Sequence, residues 1–261
     1  MIDLDHVGLV ARDLAALHAA YERLGFRLTP LSQQSGGDPP RVLGSANRCA
    51  FLAGGGYIEL LGIVDPALPL NRLDEFLARY EGMHILALGT DDAAREAERL
   101  GVATVGLSRK IEGETVAFRL ARLAGFPEGR VQLVQHLSRA TLWAPRWTDH
   151  PNGALALEEA ILHVADPEEA AGRFAKILDG APERRDGALA FRLARGTFSI
   201  VEQGAAPLVP FFGAFTVTVR DEATLQRVLD ANGVPYGRDA ACITIPRQLA
   251  GGAACRFRAG A

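Results

Sequence analysis

The chain has 261 residues, which is enough for two domains that each bury a core of their own. Its hydrophobic fraction of 48% and charged fraction of 23% are ordinary for a water-soluble globular protein, and the formal net charge of −3 gives no electrostatic reason to bind nucleic acid or an anionic membrane. The N-terminus lacks the features of a signal peptide, the apolar runs are too short to span a bilayer, and the three cysteines show no CxxC spacing. These features predict a cytoplasmic protein with free thiols.

Four segments of the chain begin with the same arrangement of residues. In each, a residue in a strand-like run is followed seven residues later by an aspartate that can cap a helix. Each helix-like stretch then ends at a glycine, which suits the left-handed residue after a helix. The four pairs are His6/Asp13, His84/Asp91, Glu159/Asp166 and Ala214/Asp221, and the glycines are Gly25, Gly101, Gly180 and Gly233. The pattern predicts four repeated β-α-β-β-β units.

The first unit begins with a strand over 4–10 and a helix after Asp13. Three further strands are predicted near 26–30, 46–53 and 57–63, and the polar stretch 32–41 is predicted to be a loop.

The second unit spans 84–137, with its helix after Asp91 and strands near 102–107, 115–122 and 130–137. The third unit spans 158–203, where Asp166-Pro167 is a strong helix start, and the fourth spans 214–258. The predicted division is a domain at 1–139, a connector rich in Trp and Pro at 140–157, and a domain at 158–261.

The last strand of each unit places one residue three positions after a glycine. These residues are Glu59, Gln132, Ser199 and Cys255. Because residues two apart on a strand share a face, His6, Glu59, His84 and Gln132 are expected on one concave surface if paired units curve into a barrel. The pairs Glu159/Ser199 and Ala214/Cys255 supply no full ligand set, so no metal is expected in the second domain.

This pattern resembles the vicinal oxygen chelate superfamily, and more narrowly its glyoxalase-like branch with two such domains in one chain. The residues that carry the resemblance are Leu-Asp-His6-Val-Gly-Leu-Val, Tyr57-Ile-Glu59-Leu-Leu and Met83-His84-Ile-Leu. The resemblance implies an α+β fold of four βαβββ modules, paired into two barrel-like domains of the glyoxalase/dihydroxybiphenyl dioxygenase kind.

The same resemblance implies metal ligands at His6, Glu59, His84 and Gln132, which suit Zn, Ni, Co, Mn or Fe(II). Gln132 departs from the common pattern, which has a carboxylate there, so Glu59 becomes the candidate catalytic base. The resulting hypothesis is a metal-dependent isomerase, epimerase or lyase acting on a small oxygen-rich metabolite.

Two alternatives stay open at this point. The set His6, His84 and Glu59 also matches a two-histidine, one-carboxylate Fe(II) site, which indicates a ring-cleaving dioxygenase. A metal-free protein that sequesters a small molecule is the other. Further substrate contacts are predicted at Asn47, Arg48, Tyr57, His136 and His150, and a homodimer is compatible with the resemblance.

Overall fold

The computed structural model describes residues 1–36, 39, 41–111, 113–204 and 210–260. These residues form sixteen strands in one mixed sheet and seven helices packed against it, which is the α+β class predicted from the sequence. No helix in the described part of the chain has the length and apolar character that crossing a membrane requires.

The first unit follows the predicted order of elements. It contains β1 (Ile2–Ala11), α1 (Leu14–Arg23), β2 (Ser32–Gly36), β3 (Arg41–Phe51) and β4 (Tyr57–Ile63). Helix α1 begins where expected, because the Asp13 carboxylate accepts a hydrogen bond from the backbone N–H of Ala16.

The second strand of this unit lies later than predicted. The segment 26–30 is not a strand; its Phe26 and Leu28 are apolar because they pack into the core after α1. Strand β2 instead occupies part of the stretch predicted as a loop, of which residues 37, 38 and 40 lie outside the described residues.

The second unit adds a short helix before its first strand. Its elements are α2 (Leu73–Arg79), β5 (Gly82–Thr90), α3 (Ala93–Leu100), β6 (Thr104–Ile111), β7 (Glu114–Leu123) and β8 (Arg130–His136). Helix α3 is capped by Asp92, whose carboxylate accepts from the N–H of Arg95, and not by Asp91. The predicted start of this helix was therefore wrong by one residue.

The remaining elements comprise two single-turn helices and the last two units. The connector holds α4 (Arg139–Leu142) and α5 (Pro145–Thr148), and the third unit holds β9 (Ala154–Val164), α6 (Pro167–Leu178), β10 (Glu183–Arg185), β11 (Ala188–Arg192) and β12 (Thr197–Glu202). The fourth holds β13 (Phe211–Val219), α7 (Glu222–Ala231), β14 (Gly237–Arg238), β15 (Ile243–Ile245) and β16 (Ala254–Ala259). Asp166 and Asp221 cap α6 and α7 as predicted.

The four units share one strand topology. In each, the first and last strands pair in parallel, as in β1 with β4 and β5 with β8. First strands of neighbouring units then pair antiparallel, β1 with β5 and β9 with β13. The first two units therefore form a strongly curved sheet in the order β2-β3-β4-β1-β5-β8-β7-β6, and among the described residues it stays open between β2 and β6.

The two pairs of units are joined by backbone hydrogen bonds and by a shared core. The Leu4 N–H donates to the Arg195 carbonyl over 2.8 Å, and the Gly54 N–H donates to the Leu155 carbonyl over 2.7 Å. Strands β5 and β13 meet at Met83 and Phe212, and one apolar cluster draws buried residues from both pairs. The division at 139 and 158 stays a prediction.

Candidate functional site

The curved sheet of the first two units encloses an open cavity, called here the first cup. One wall carries the polar side chains His6, Glu59 and Gln132, and Arg130 lies on the same strand as Gln132. The lining also includes the apolar side chains of Ile85, Leu107, Phe118, Leu120 and Val134. A cavity that combines apolar side chains with a few polar groups is typical of a small-molecule site.

His6 is held in the wall by the residue before it. A β-bulge in β1 makes Asp5 an extra residue opposite β5, so Asp5 and His6 do not alternate across the strand in the usual way. His6 Nδ1 donates to Asp5 Oδ1 over 2.7 Å, and the imidazole stacks on Tyr57 at a ring-centroid distance of 4.2 Å. This arrangement aims His6 Nε2 at the cup.

Asp5 binds a second imidazole as well. His136 Nε2 lies 2.9 Å from Asp5 Oδ2, on the side of a smaller cavity that Asp5 and His136 line. Burial raises the pKa of Asp5, but the charge and hydrogen bonds of His136 and then of His6 outweigh it and hold that pKa below its usual range. Asp5 therefore stays ionised and fixes the orientation of both rings.

Glu59 presents a buried carboxylate to the first cup. Its side chain is only 8% exposed, and its Oε1 accepts a hydrogen bond from Asn47 Nδ2 over 2.5 Å. Its Oε2 lies 3.7 Å from His6 Nε2. Because one oxygen is anchored by Asn47, the other remains available to a bound molecule.

His84 does not lie in the first cup, and its predicted placement on the concave face is wrong. The parallel register pairs His6 with Tyr57 in the first unit and Ile85 with Arg130 in the second, so Ile85 is the structural counterpart of His6. The prediction slipped by one residue because the helix was counted from Asp91 and not from Asp92. A slip of one residue on a strand moves a side chain to the opposite face.

His84 is instead a packed core residue. It is fully buried, its ring stacks between Phe76 and Tyr80, and its Nε2 lies 2.9 Å from the Tyr80 carbonyl oxygen, to which it donates. Burial lowers the pKa of His84 to about 4. Its imidazole is therefore neutral at pH 7 and serves packing.

The donors that face the first cup do not fit the four-residue metal centre that the resemblance implies. His6, Glu59 and Gln132 are in place, but the fourth position is the hydrocarbon side chain of Ile85. Within the described residues, no group of three or more His, Cys, Asp or Glu side chains is arranged to hold a metal ion. Three of the four predicted ligands therefore face the first cup, and the binding of a divalent ion by this chain stays a prediction.

The predicted substrate contacts are distributed over different places. Tyr57 lines the first cup, and Asn47 reaches it through Glu59. Arg48, on the other face of β3, pairs with Glu22 of α1 over 2.8 Å. His136 lies behind Asp5, as described above. His150 links the segment after α1 to the end of β3: its Nδ1 accepts a hydrogen bond from the Arg27 N–H, and its Nε2 donates one to the Phe51 carbonyl.

In the second pair of units, the equivalent polar side chains bond to one another. Glu159 accepts from Ser199 Oγ over 2.6 Å and from Thr216 Oγ1 over 3.3 Å, and Arg256 lies 3.9 Å away. The predicted position of Cys255 in this set is wrong by one residue, because Ala214 pairs with Ala254 and the slot belongs to Arg256. Cys255 is fully buried in the apolar core.

Three residues in or directly behind the first cup were missed by the sequence analysis. Asp5, behind His6, is a buried acidic residue of β1, and its position next to His6 was a usable signal. Arg130 lies two residues before Gln132 and so shares its face, which alternation also indicates. Asn71, in the loop before α2, carries no signal in the sequence that would place it at the cup.

Comparison with known proteins agrees with this architecture. Residues 4–178, about two thirds of the chain, match the family described as "Glyoxalase-like domain". No curated protein sequence matches the chain.

Solved structures extend the likeness over the whole fold. A hypothetical protein from Staphylococcus aureus is 14% identical with a TM-score of 0.71, covering 100% of both chains. A mutant of 4-hydroxymandelate synthase from Streptomyces coelicolor is 15% identical with a TM-score of 0.62, covering 91% of this chain and 76% of that one. The halotolerant catechol dioxygenase BphC is 12% identical with a TM-score of 0.58, covering 99% and 86%. At these identities the likeness is one of fold alone.

Proposed function

Because the chain belongs to the glyoxalase-like domain family, we propose that the first cup is the active site of an isomerase, epimerase or lyase that acts by proton transfer. The observation that carries the proposal is Glu59: a buried carboxylate with one oxygen held by Asn47 and the other facing the open first cup. A base positioned inside a cavity is what removal of a proton next to a carbonyl requires.

The chemistry uses residues that line the same wall. Glu59 takes the proton from the carbon beside the substrate carbonyl, and the electron pair of that C–H bond moves onto the carbonyl oxygen to form an enolate. The Gln132 amide can donate a hydrogen bond to the enolate oxygen, and Tyr57 and Asp5 hold His6 in its orientation. Return of the proton from Glu59 to the neighbouring carbon, with transfer of the hydroxyl proton to the former carbonyl oxygen, completes an isomerisation. Protonation of the same carbon by water from the other face, with release of the Glu59 proton to solvent, completes an epimerisation.

A metal-free sequestering protein is the second candidate, and one observation favours it. The position that the resemblance assigns to a metal ligand holds Ile85. Its hydrocarbon side chain lines the first cup, where it can pack against a bound small molecule. The ring-cleaving dioxygenase has less support, because His6 is the one imidazole that lines the first cup among the described residues.

The test is exchange of carbon-bound hydrogen in D₂O, followed by NMR over a panel of small 2-oxo and 2-hydroxy carbonyl compounds. We expect the chain to exchange hydrogen beside the carbonyl of at least one compound and the Glu59→Gln variant to lose about 100-fold or more of that rate. Glu159→Gln is the matched control, because Glu159 is the half-buried carboxylate at the equivalent position of the other pair of units.

The same samples separate the alternatives. We expect exchange to survive chelator treatment and to be equal in His84→Ala, because His84 faces away from the first cup. Binding without exchange would favour the sequestering protein. Loss of exchange on chelation, with one equivalent of metal per chain measured by mass spectrometry, would contradict the metal-free step.

A further inference from the structure

Arg130 is a buried cation whose guanidinium is only partly used by the protein. The residue is 8% exposed and lines the first cup. Its hydrogen bonds to described residues come from Nη2 alone, which donates to the Asn71 carbonyl over 2.5 Å and to Asn71 Oδ1 over 3.4 Å. Its Nε and Nη1 donors have no described acceptor.

No described carboxylate neutralises this charge within ion-pair distance. The neighbouring Arg72 is paired with Glu75 over 2.8 Å. Arg122 adds a second positive charge, and its Nη2 donates a hydrogen bond to Asn71 Oδ1 over 3.3 Å. Burial, followed by the charge of Arg122, lowers the pKa of Arg130 to about 10, while Glu59 acts in the opposite direction. A buried cation without a paired anion is costly, so a bound anion would relieve a cost that the ligand-free protein bears.

Neighbouring side chains hold Arg130 in place but do not use its Nε and Nη1 donors. The Phe76 ring lies 5.3 Å from the guanidinium carbon. Asn71 and Arg72 both have left-handed backbone conformations, with φ of 55° and 65°. Asparagine adopts this conformation readily, whereas it is unfavourable for arginine. Strained residues are concentrated at ligand sites, and the carbonyl of Asn71, next to Arg72, accepts a hydrogen bond from Arg130 Nη2.

We propose that the first cup binds an organic monocarboxylate, whose carboxylate accepts hydrogen bonds from Nη1 of Arg130 and whose apolar part lies against Phe118 and Leu120. Nη1 carries two N–H donors that no described residue uses, and a guanidinium donates strong hydrogen bonds to a carboxylate. A carboxylate also brings one negative charge, not two, into a cup that already holds the Glu59 carboxylate. The proposal rests on the proposed function in taking the first cup as the substrate site, and it names the substrate class.

The experiment is a set of NMR titrations with benzoate, benzamide and phenylphosphonate as probes. Benzoate has a carboxylate on an apolar ring, benzamide is its neutral isostere, and phenylphosphonate carries a tetrahedral anion on the same ring. We expect benzoate to bind at least about tenfold more tightly than either of the others, and Arg130→Gln to weaken benzoate about tenfold or more, since hydrogen bonds between charged groups contribute that much.

The matched control is Arg119→Gln, which removes the same charge from the other face of β7 and should bind benzoate like the unmodified chain. If Arg130→Gln fails to fold, Arg130→Lys keeps the charge but loses the planar guanidinium with its Nη1 donors, and should also bind benzoate more weakly. Equal binding of benzoate and benzamide, unchanged binding by the Arg130 variant, or tighter binding of phenylphosphonate would overturn the proposal.

Glu59→Gln separates this proposal from the proposed function. This variant lacks the base but keeps the Arg130 guanidinium, so we expect it to bind benzoate at least as tightly as the unmodified chain. Benzoate binding that depends on Arg130, without hydrogen exchange in any compound, would leave the carboxylate site standing and the proton-transfer function refuted. Exchange that depends on Glu59, without selective benzoate binding, would refute the carboxylate site and leave the proton-transfer function standing.

Discussion

Asp5 is the residue that organises the polar wall of the first cup. Its carboxylate bonds to His6 on one side and His136 on the other, and it is almost completely buried. A buried carboxylate needs hydrogen-bond donors on both of its oxygens, because an unpaired charge in the interior is costly. Here the two imidazoles supply them, so the three side chains form a row. The row therefore fixes the direction in which His6 Nε2 points.

His84 shows the opposite use of an imidazole, because its ring is held neutral by burial. Its pKa is about 4 in the folded chain and about 6.5 in an unfolded one, so the unfolded state binds the proton more readily between these values. Folding stability is therefore highest above about pH 6.5 with respect to this residue and falls as the pH drops toward 4.

We predict that His84→Phe removes part of the acid sensitivity of the fold. Phenylalanine keeps the stack between Phe76 and Tyr80 but cannot take up a proton. The free energy of unfolding of the unmodified chain should fall by up to about 3 kcal/mol more than that of the variant between pH 7 and pH 4. Urea unfolding at several pH values measures this, and parallel curves for the two proteins would count against it.

At the scale of elements, the start of helix α3 determines which residues face the first cup. Asp91 and Asp92 are adjacent, and either residue type can cap a helix. In the structure only Asp92 bonds to the first turn, through the Arg95 N–H over 3.0 Å, while the side chain of Asp91 is exposed and has no described hydrogen bond. Counting back from Asp92 reaches Ile85, and counting back from Asp91 reaches His84.

We predict that Asp92→Ala lowers the free energy of unfolding by about 1 kcal/mol, as loss of a helix N-cap does elsewhere. Asp91→Ala is the matched control and should change it by less than about 0.5 kcal/mol, because the residue lies on the surface without a bond to the helix. Chemical denaturation of both variants measures the difference. A larger effect for Asp91→Ala would mean that the helix begins one residue earlier.

At the scale of the whole molecule, the loop before β16 attaches the fourth unit to the first two. Tyr21 of α1 is fully buried and donates from its hydroxyl to the Ala250 carbonyl over 3.1 Å. Gly252 then lies directly against the backbone of Glu81 and Gly82, where a Cβ atom would be 2.1 Å from the Glu81 carbonyl oxygen. This close approach of two backbones needs a glycine, and its φ of 92° needs one as well.

We predict that Gly252→Ala destabilises the chain by about 3 kcal/mol, from the clash together with the left-handed conformation. Gly101→Ala is the control, because Gly101 has a φ of 68° but open space around its Cβ position, and it should cost about 1–2 kcal/mol. Thermal or urea unfolding distinguishes the two. Equal effects would show that the contact between the units can relax around an added methyl group.

The sequence by itself determined the repeat, because helix caps, glycine stops and strand periodicity are local signals. It also placed Glu59, His6 and Gln132 on one surface, since β4 and β8 begin at the predicted residues and the predicted run 4–10 lies within β1. It did not determine the slots assigned to His84 and Cys255, because a choice between two adjacent aspartates, or a one-residue difference in strand register, moves a side chain to the other face of the strand. His84 and Cys255 were misplaced for that reason.

Only the tertiary structure decided which groups meet in the first cup. Arg130 is on β8, Asn71 is in the loop before α2, and Glu59 is on β4; strand pairing and sheet curvature bring them to one cavity. The charge balance of the cavity, with Arg130 lacking a described anion, depends on distances between these elements. A local pattern in the sequence carries no information about such distances, because they follow from the pairing of the strands and the curvature of the sheet.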